Sequence, residues 1–246
     1  MRNRFHETIQ KAKPRSLLAN LRRELAAAAD PPRAPLMQAY MKSAMPYHGV
    51  SSPKMRLVCR TVFAGVDFSS ADAWRGAVLS IWRRASHREE RYAAIELTEI
   101  KRFAPFQTMG ALPMYEEMIV TGAWWDYVDA IATHRLGFLL RRYPAAMRRK
   151  MLAWSRSKDM WKRRSAILCQ IQFKKDTDPD LLYACIEPSL PSREFFLRKA
   201  IGWALRQYAW TDPREVRRYV AAHQNALSNL SRREALKNVQ KGPRTQ

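Results

Sequence analysis

An Ala followed by Ile or Leu recurs at Ala94-Ile95, Ala130-Ile131, Ala166-Ile167, Ala200-Ile201 and Ala235-Leu236, in steps of 36, 36, 34 and 35 residues. Pro144, Pro179 and Pro213 fall between these pairs at steps of 35 and 34. So regular a period admits few folds, because it needs one supersecondary unit stacked on copies of itself. Segments such as "YAAIELTEIKRF" and "FFLRKAIGWALRQYA" space their apolar residues by three and four, which predicts amphipathic helices. "TDPD" and "TDPR" each set an Asp before a proline, the order of an N-cap followed by the first helical residue. Each unit therefore reads as a helix bearing the Ala-Ile pair, a proline-marked break and a second helix. The small residue lets neighbouring helices approach, and the branched one fills the gap between them.

Only eight glycines are present, and no stretch sustains strand-like alternation. The expected fold is all-α: an α-solenoid of HEAT-like helical repeats with a concave basic groove. Residues 16–60 fit as first units of weaker periodicity, so one domain is expected over 16–241. A basic extension, 1–15, and a tail, 242–246, are expected to be mobile.

Lys and Arg number 44 against 22 Asp and Glu, a formal net charge of +22. Such an imbalance usually has nucleic acid or an anionic membrane as its partner. Its distribution is uneven: residues 141–175 hold twelve Lys/Arg and only Asp159, half the excess in one seventh of the chain. Positions just before the Ala-Ile pairs are repeatedly basic, as Arg91, Lys162-Arg163-Arg164, Arg198-Lys199 and Arg232-Arg233. Equivalent helices would line up these cations at repeat spacing, suited to tracking a duplex backbone without reading bases. No apolar run approaches the length of a membrane span. Cys59, Cys169 and Cys185 make no CxxC pair, and the basic N-terminus lacks the apolar core of a signal peptide. A soluble cytoplasmic protein, nucleoid-associated through DNA, is expected.

One unit departs from the basic register. In "WWDYVDAI" the residue before Ala130 is Asp129, with Trp125 four residues earlier on the same helix face. An acid there opposes phosphate binding and needs another purpose. Trp203, just after the Ala-Ile pair two units on, is a candidate for the same groove, whereas Trp82, Trp124 and Trp154 read as core. The five histidines lack metal-ligand spacing, and GxSxG, HExxH and a phosphate-binding Gly loop are absent from the sequence. No metal and no cofactor are expected.

Carboxylate and indoles suffice for one reaction class. A purine alkylated at N3 or N7 is cationic, hence already an activated leaving group whose glycosidic bond breaks without a general acid. Indole faces attract the cationic base and sugar. A carboxylate stabilises the oxocarbenium-like sugar and positions the attacking water.

The stretches "MQAYMKS", "VTGAWWDYVDAIA", "MWKRRSAILCQ", "EFFLRKAIGWALRQYA" and "LSRREALKN" resemble the AlkD-type DNA alkylation repair glycosylases, from about residue 17 to 240. That resemblance implies a monofunctional glycosylase of base-excision repair. It would release 3-methyladenine and 7-methylguanine from double-stranded DNA without metal, cofactor or base flipping. Carried over by matching positions, the catalytic Asp falls on Asp129 and the two sugar- and lesion-facing tryptophans on Trp125 and Trp203. A DNA-approaching Tyr falls on Tyr40, a backbone-contacting Arg on Arg164, and further basic contacts on Arg206 and Arg233. The register adds Lys162, Arg163, Arg198, Lys199 and Arg232 as DNA-binding candidates. "YHGVSSP" keeps the family's glycine at Gly49, while Ser51 and Ser52 stand where members vary. The expected partner is double-stranded DNA, bound by a monomer. Two alternatives carry over: a non-catalytic repeat protein that binds DNA structures, and a protein-binding scaffold.

Overall fold

The structure, a computed structural model, describes residues 14–239. The tail 242–246 and almost all of the 1–15 extension lie outside them, except that Pro14 already begins helix α1. The chain forms two compact units that divide between Gln107 and Thr108. All regular structure among the described residues is helical.

The first unit holds α1 (Pro14–Ala27), α2 (Ala34–Met41), α3 (Ser52–Phe63), α4 (Ala71–Arg84) and α5 (Arg88–Glu99). Leu17, Leu18, Leu21 and Leu25 form one buried stripe on α1. It meets α3 and α4, whose Met55, Val58, Cys59, Trp74, Val78, Ile81 and Trp82 are buried. Two fully buried carboxylates open α5. Glu89 accepts the backbone N–H groups of His48, Gly49 and Val50 at 2.9–3.1 Å. Glu90 accepts Arg22 and both the backbone N–H and hydroxyl of Ser86. Gly49 is needed in this loop: its φ is +84°, and a Cβ there would lie 2.1 Å from the Asp30 carbonyl oxygen.

The second unit holds α6 (Leu112–Gly122), α7 (Trp125–Ala130), α8 (Gly137–Arg142), α9 (Pro144–Ser155) and α10 (Met160–Leu168). It continues through α11 (Pro179–Ile186), α12 (Phe195–Tyr208), α13 (Pro213–Ala222) and α14 (Asn229–Leu236). The expected repeat is present. Pro144, Pro179 and Pro213 are the first residues of α9, α11 and α13. Asp178 and Asp212 are side-chain N-caps, accepting from Leu181 N at 3.0 Å and Glu215 N at 2.9 Å. Helices of successive repeats stack in order, α10 against α7, α9 and α12, and α12 against α14, as in a helical-repeat solenoid. Ala166-Ile167 and Ala200-Ile201 are buried. Leu236 departs from this and is 38% exposed, since α14 is the last helix of the described residues. Trp82 and Trp154 are core as expected, but Trp124 is only half-buried because it caps the start of α7.

Glycine marks the tightest contact. At Gly202 a Cβ would lie 2.5 Å from Glu234 Cβ and 3.0 Å from the Ser231 carbonyl oxygen, whereas exposed Gly76 in α4 has open space. Gly202→Ala should therefore destabilise by about 2 kcal/mol through overpacking. Gly76→Ala should stabilise by roughly 0.5–1 kcal/mol through helix propensity. Urea unfolding of the two variants should give opposite signs. A neutral Gly202→Ala would mean that α12 and α14 separate freely.

Candidate active site

Helix α7 begins at Trp125, so Trp125 and Asp129 project from one face, one turn apart. The helix then runs without a break through a π-helical turn, Ile131–Leu136, into α8. Such turns accommodate an extra residue inside a helix and recur at functional sites. Trp124 makes an aromatic cluster with Trp161 of α10 and Phe196 of α12, at centroid distances of 5.1–6.3 Å. Three helix starts therefore converge beside Asp129.

Asp129 does not wait there as a free carboxylate. Arg164, on α10, donates from Nε to Oδ1 and from Nη2 to Oδ2, both at 2.7 Å, the two-pronged geometry natural to a guanidinium and a carboxylate. A third Arg164 nitrogen donates to the Phe196 carbonyl at the start of α12. One side chain thus ties α7, α10 and α12 together. The Arg164 side chain is 5% exposed and that of Asp129 is 15% exposed. Burial pushes the Asp129 carboxyl up from its usual range, the hydrogen bonds and charge of Arg164 oppose this, and Asp126 adds to the rise.

Trp203 is half-buried on α12, seven residues beyond Phe196 and so on the same stripe, about 10 Å further along the helix. Lys199 and Arg206 flank it on that stripe. Both meet Glu234 of α14, at 3.5 Å and 2.5 Å. Other predicted DNA contacts are also engaged. Lys162 pairs with Glu116, which Lys150 reaches at 3.4 Å. Arg163 bonds Ser189 Oγ and the Pro188 carbonyl, Arg198 the Ser192 carbonyl at 2.9 Å, and Arg232 the Asn229 side chain. Arg233 is exposed. Tyr40, in the first unit, is 78% exposed on α2 with Leu36, 70% exposed, one turn before it.

Sequence reasoning missed these carboxylate partners, although a signal existed. Asp129 and Arg164 are 35 residues apart, as are Lys199 and Glu234, and Arg141 and Asp176, which pair at 3.0 Å. Opposite charges one repeat apart are neighbours in a stack of repeats. Glu234 also precedes Ala235 as Asp129 precedes Ala130, so two units, not one, carry an acid in the basic register. Acids at 116, 129, 176 and 178 lie against the basic stretch 141–175 and offset part of its charge.

The histidines, scattered in sequence, are less scattered in space: His48, His87 and Glu90 bring potential ligand atoms within 4.8 Å of one another. The two rings stack at 3.8 Å and 15°, so their in-plane lone pairs run side by side instead of converging. Both Glu90 oxygens already accept Arg22. The group fits a clasp on the loop before α3 better than an ion site.

Removing Arg164 should expose what it does. Arg164→Met should lower the unfolding free energy by about 3 kcal/mol, because a mostly buried carboxylate loses its counter-charge. Adding Asp129→Leu should recover most of that loss. In the single variant the Asp129 carboxyl rises further above its unfolded value. The native state then holds the proton more tightly, so stability falls as pH rises from the ordinary carboxylate range through the raised one. Denaturation curves across pH measure both effects. A loss no larger than for an ordinary surface substitution would mean that solvent, not Arg164, satisfies Asp129.

The chain matches the family described as DNA alkylation repair enzyme over residues 21–239. No curated protein matches it significantly. A solved structure described as a predicted DNA alkylation repair enzyme from Enterococcus faecalis superposes with a TM-score of 0.72 at 27% identity. That likeness covers 85% of this chain and 95% of the other. No helix of the described residues is long and apolar enough to cross a membrane. With residues 21–239 matched, the protein belongs to the DNA alkylation repair enzyme family.

Proposed function

We propose that the protein is a monofunctional DNA glycosylase that hydrolyses the N-glycosidic bond of cationic alkylpurines in duplex DNA. 3-Methyladenine and 7-methylguanine are the substrates of this reading. The observation that carries it is Asp129: a carboxylate fixed by two 2.7 Å bonds, still partly exposed, one turn from Trp125. Preorganisation matters here, since a carboxylate held in place before the sugar becomes positive loses no reorganisation energy when it does. Trp125 and Trp203 offer indole faces to the cationic base and sugar. Lys162, Arg163, Arg164, Arg198, Lys199, Arg206, Arg232 and Arg233, with Tyr40, are the proposed DNA contacts along a concave basic groove. Activity of a monomer within a single repeat domain, at the nucleoid in the cytoplasm, belongs to the same proposal.

The chemistry runs on the damaged base's own charge. As the glycosidic bond stretches, the electron pair leaves with the purine, which departs neutral, and positive charge grows on the deoxyribose. Asp129 stabilises that charge and orients the water that adds to the sugar carbon, accepting the water's proton or relaying it to solvent. Neutral lesions lack the leaving-group activation and fall outside the range of this site.

A non-catalytic DNA-binding role draws support from the same ion pair, because an Asp held by Arg can serve the fold alone. Release of free purine from methylated duplex separates the two readings. Asp129→Asn should lower release about a hundredfold or more. Its duplex affinity should hold or rise, since Arg164 then lacks its counter-charge. Wild-type release should also fall as pH drops through the raised Asp129 value, because only the ionised form works. No release by wild type, with tight salt-sensitive binding, would favour the non-catalytic role.

A further inference from the structure

The cations beside Trp203 are held by a carboxylate that the proposed reaction does not use. Glu234 is 6% exposed, yet three cations reach it: Arg206 at 2.5 Å, Lys199 at 3.5 Å and Lys237. Burial pushes its carboxyl up, but the hydrogen bond from Lys237 and the charges of Lys199 and Arg206 outweigh this and hold it below the usual range. Three cations around one carboxylate leave a net charge of +2, on side chains 29–54% exposed. That excess faces solvent and suits one anion.

The backbone around Glu234 is fixed to match. Ser231 Oγ donates to the Arg198 carbonyl at 2.9 Å, and Asn238 Nδ2 to the Arg206 carbonyl at 3.1 Å. Gly202 lets Glu234 sit directly against α12, one residue from Trp203. Lys199, Trp203 and Arg206 lie at helical spacing on one face, so a carboxylate bridging the outer two fixes the stripe that contains the indole. Without it, Lys199 and Arg206 would repel each other and swing. The arrangement has a counterpart in α6, where Glu116 receives Lys150 and Lys162, each ammonium 5.7 Å from the ring of Trp154.

We propose that Glu234 is a positioning and specificity-determining residue, an internal counter-ion that holds Lys199 and Arg206 on either side of Trp203 as a clamp for one DNA backbone phosphate. The clamp keeps its geometry because Glu234 fills it before DNA arrives. The same charge keeps it weak toward undamaged duplex. This rests on the DNA-repair reading of the site, and it makes an unusual demand: removing Glu234's charge should strengthen DNA binding and weaken excision together.

The test compares wild type with Glu234→Gln. Kd for undamaged duplex is measured across salt, and single-turnover release of 7-methylguanine at saturating enzyme. The variant should bind undamaged duplex more tightly, with a slope of log Kd against log salt steeper by about one, the contribution of one phosphate contact. Its release rate should fall about tenfold or more, since misplacement by ~1 Å can cost on the order of a hundredfold. Equal rates, or rate and affinity falling together at unchanged slope, would overturn the proposal. Lys199→Gln, on an exposed side chain, decides the matter if Glu234→Gln fails to fold. It should flatten the slope by about one, and an unchanged slope would overturn the clamp. Both salt arms use undamaged duplex, so they stand even if wild type releases no base, a result that would instead remove the glycosylase reading.

Discussion

The guanidinium of Arg164 joins three helices and fixes the carboxylate of Asp129. It reaches a carboxylate on α7 and a carbonyl on α12 from its own place on α10. A buried ion pair of this kind adds little to net stability compared with apolar packing, because both charges lose their water. Its value is geometric. Two 2.7 Å bonds leave Asp129 almost no rotational freedom, and the third bond sets the start of the helix that carries Trp203. The aromatic cluster of Trp124, Trp161 and Phe196 surrounds the same point and supplies the apolar area that the ions do not.

Carboxylates elsewhere in the chain work by a similar rule. Glu89 satisfies three backbone N–H groups of a loop that would otherwise leave them orphaned, and Glu90 fixes Arg22 and Ser86. In a chain of net charge +22, Glu234 is surrounded by more cation than it neutralises, with Lys199, Arg206 and Lys237 around it. Glu116 and Glu234 organise basic side chains; they do not balance the total.

Much of this was legible in the sequence. The Ala-Ile period, the prolines at the starts of α9, α11 and α13, and the Asp-Pro caps are local signals, written in a few adjacent residues, and apart from the exposed Leu236 and half-buried Ala130 they are present in the structure. The Trp125–Asp129 pairing was legible for the same reason, since four residues on a helix fix a shared face. The partner of Asp129 was not read, because Arg164 lies one full repeat away, beyond the reach of spacing along a single helix. Nor was the meaning of Glu234, hidden behind Arg232 and Arg233 in "SRREALK". Both become readable once charges are compared at the repeat spacing as well as along the helix. The π-helical turn after Ala130 left no sequence mark, as it depends on how the flanking turns pack.

That turn has a consequence for how the chain could have acquired its lengths. A π-helical turn completes its rotation with one residue more than an α-helical turn, so the helix on either side keeps its phase. The repeat from Ala130 to Ala166 is 36 residues long, as is the one before it, against 34 and 35 for those that follow. The wider turn lies between Asp129 on one side and Gly137 on the other, whose missing Cβ would meet the Cys169 carbonyl oxygen at 2.8 Å. Chain length and helical phase are thereby uncoupled at the helix that carries Asp129, and an insertion can be carried there without disturbing the faces on which both neighbouring repeats pack.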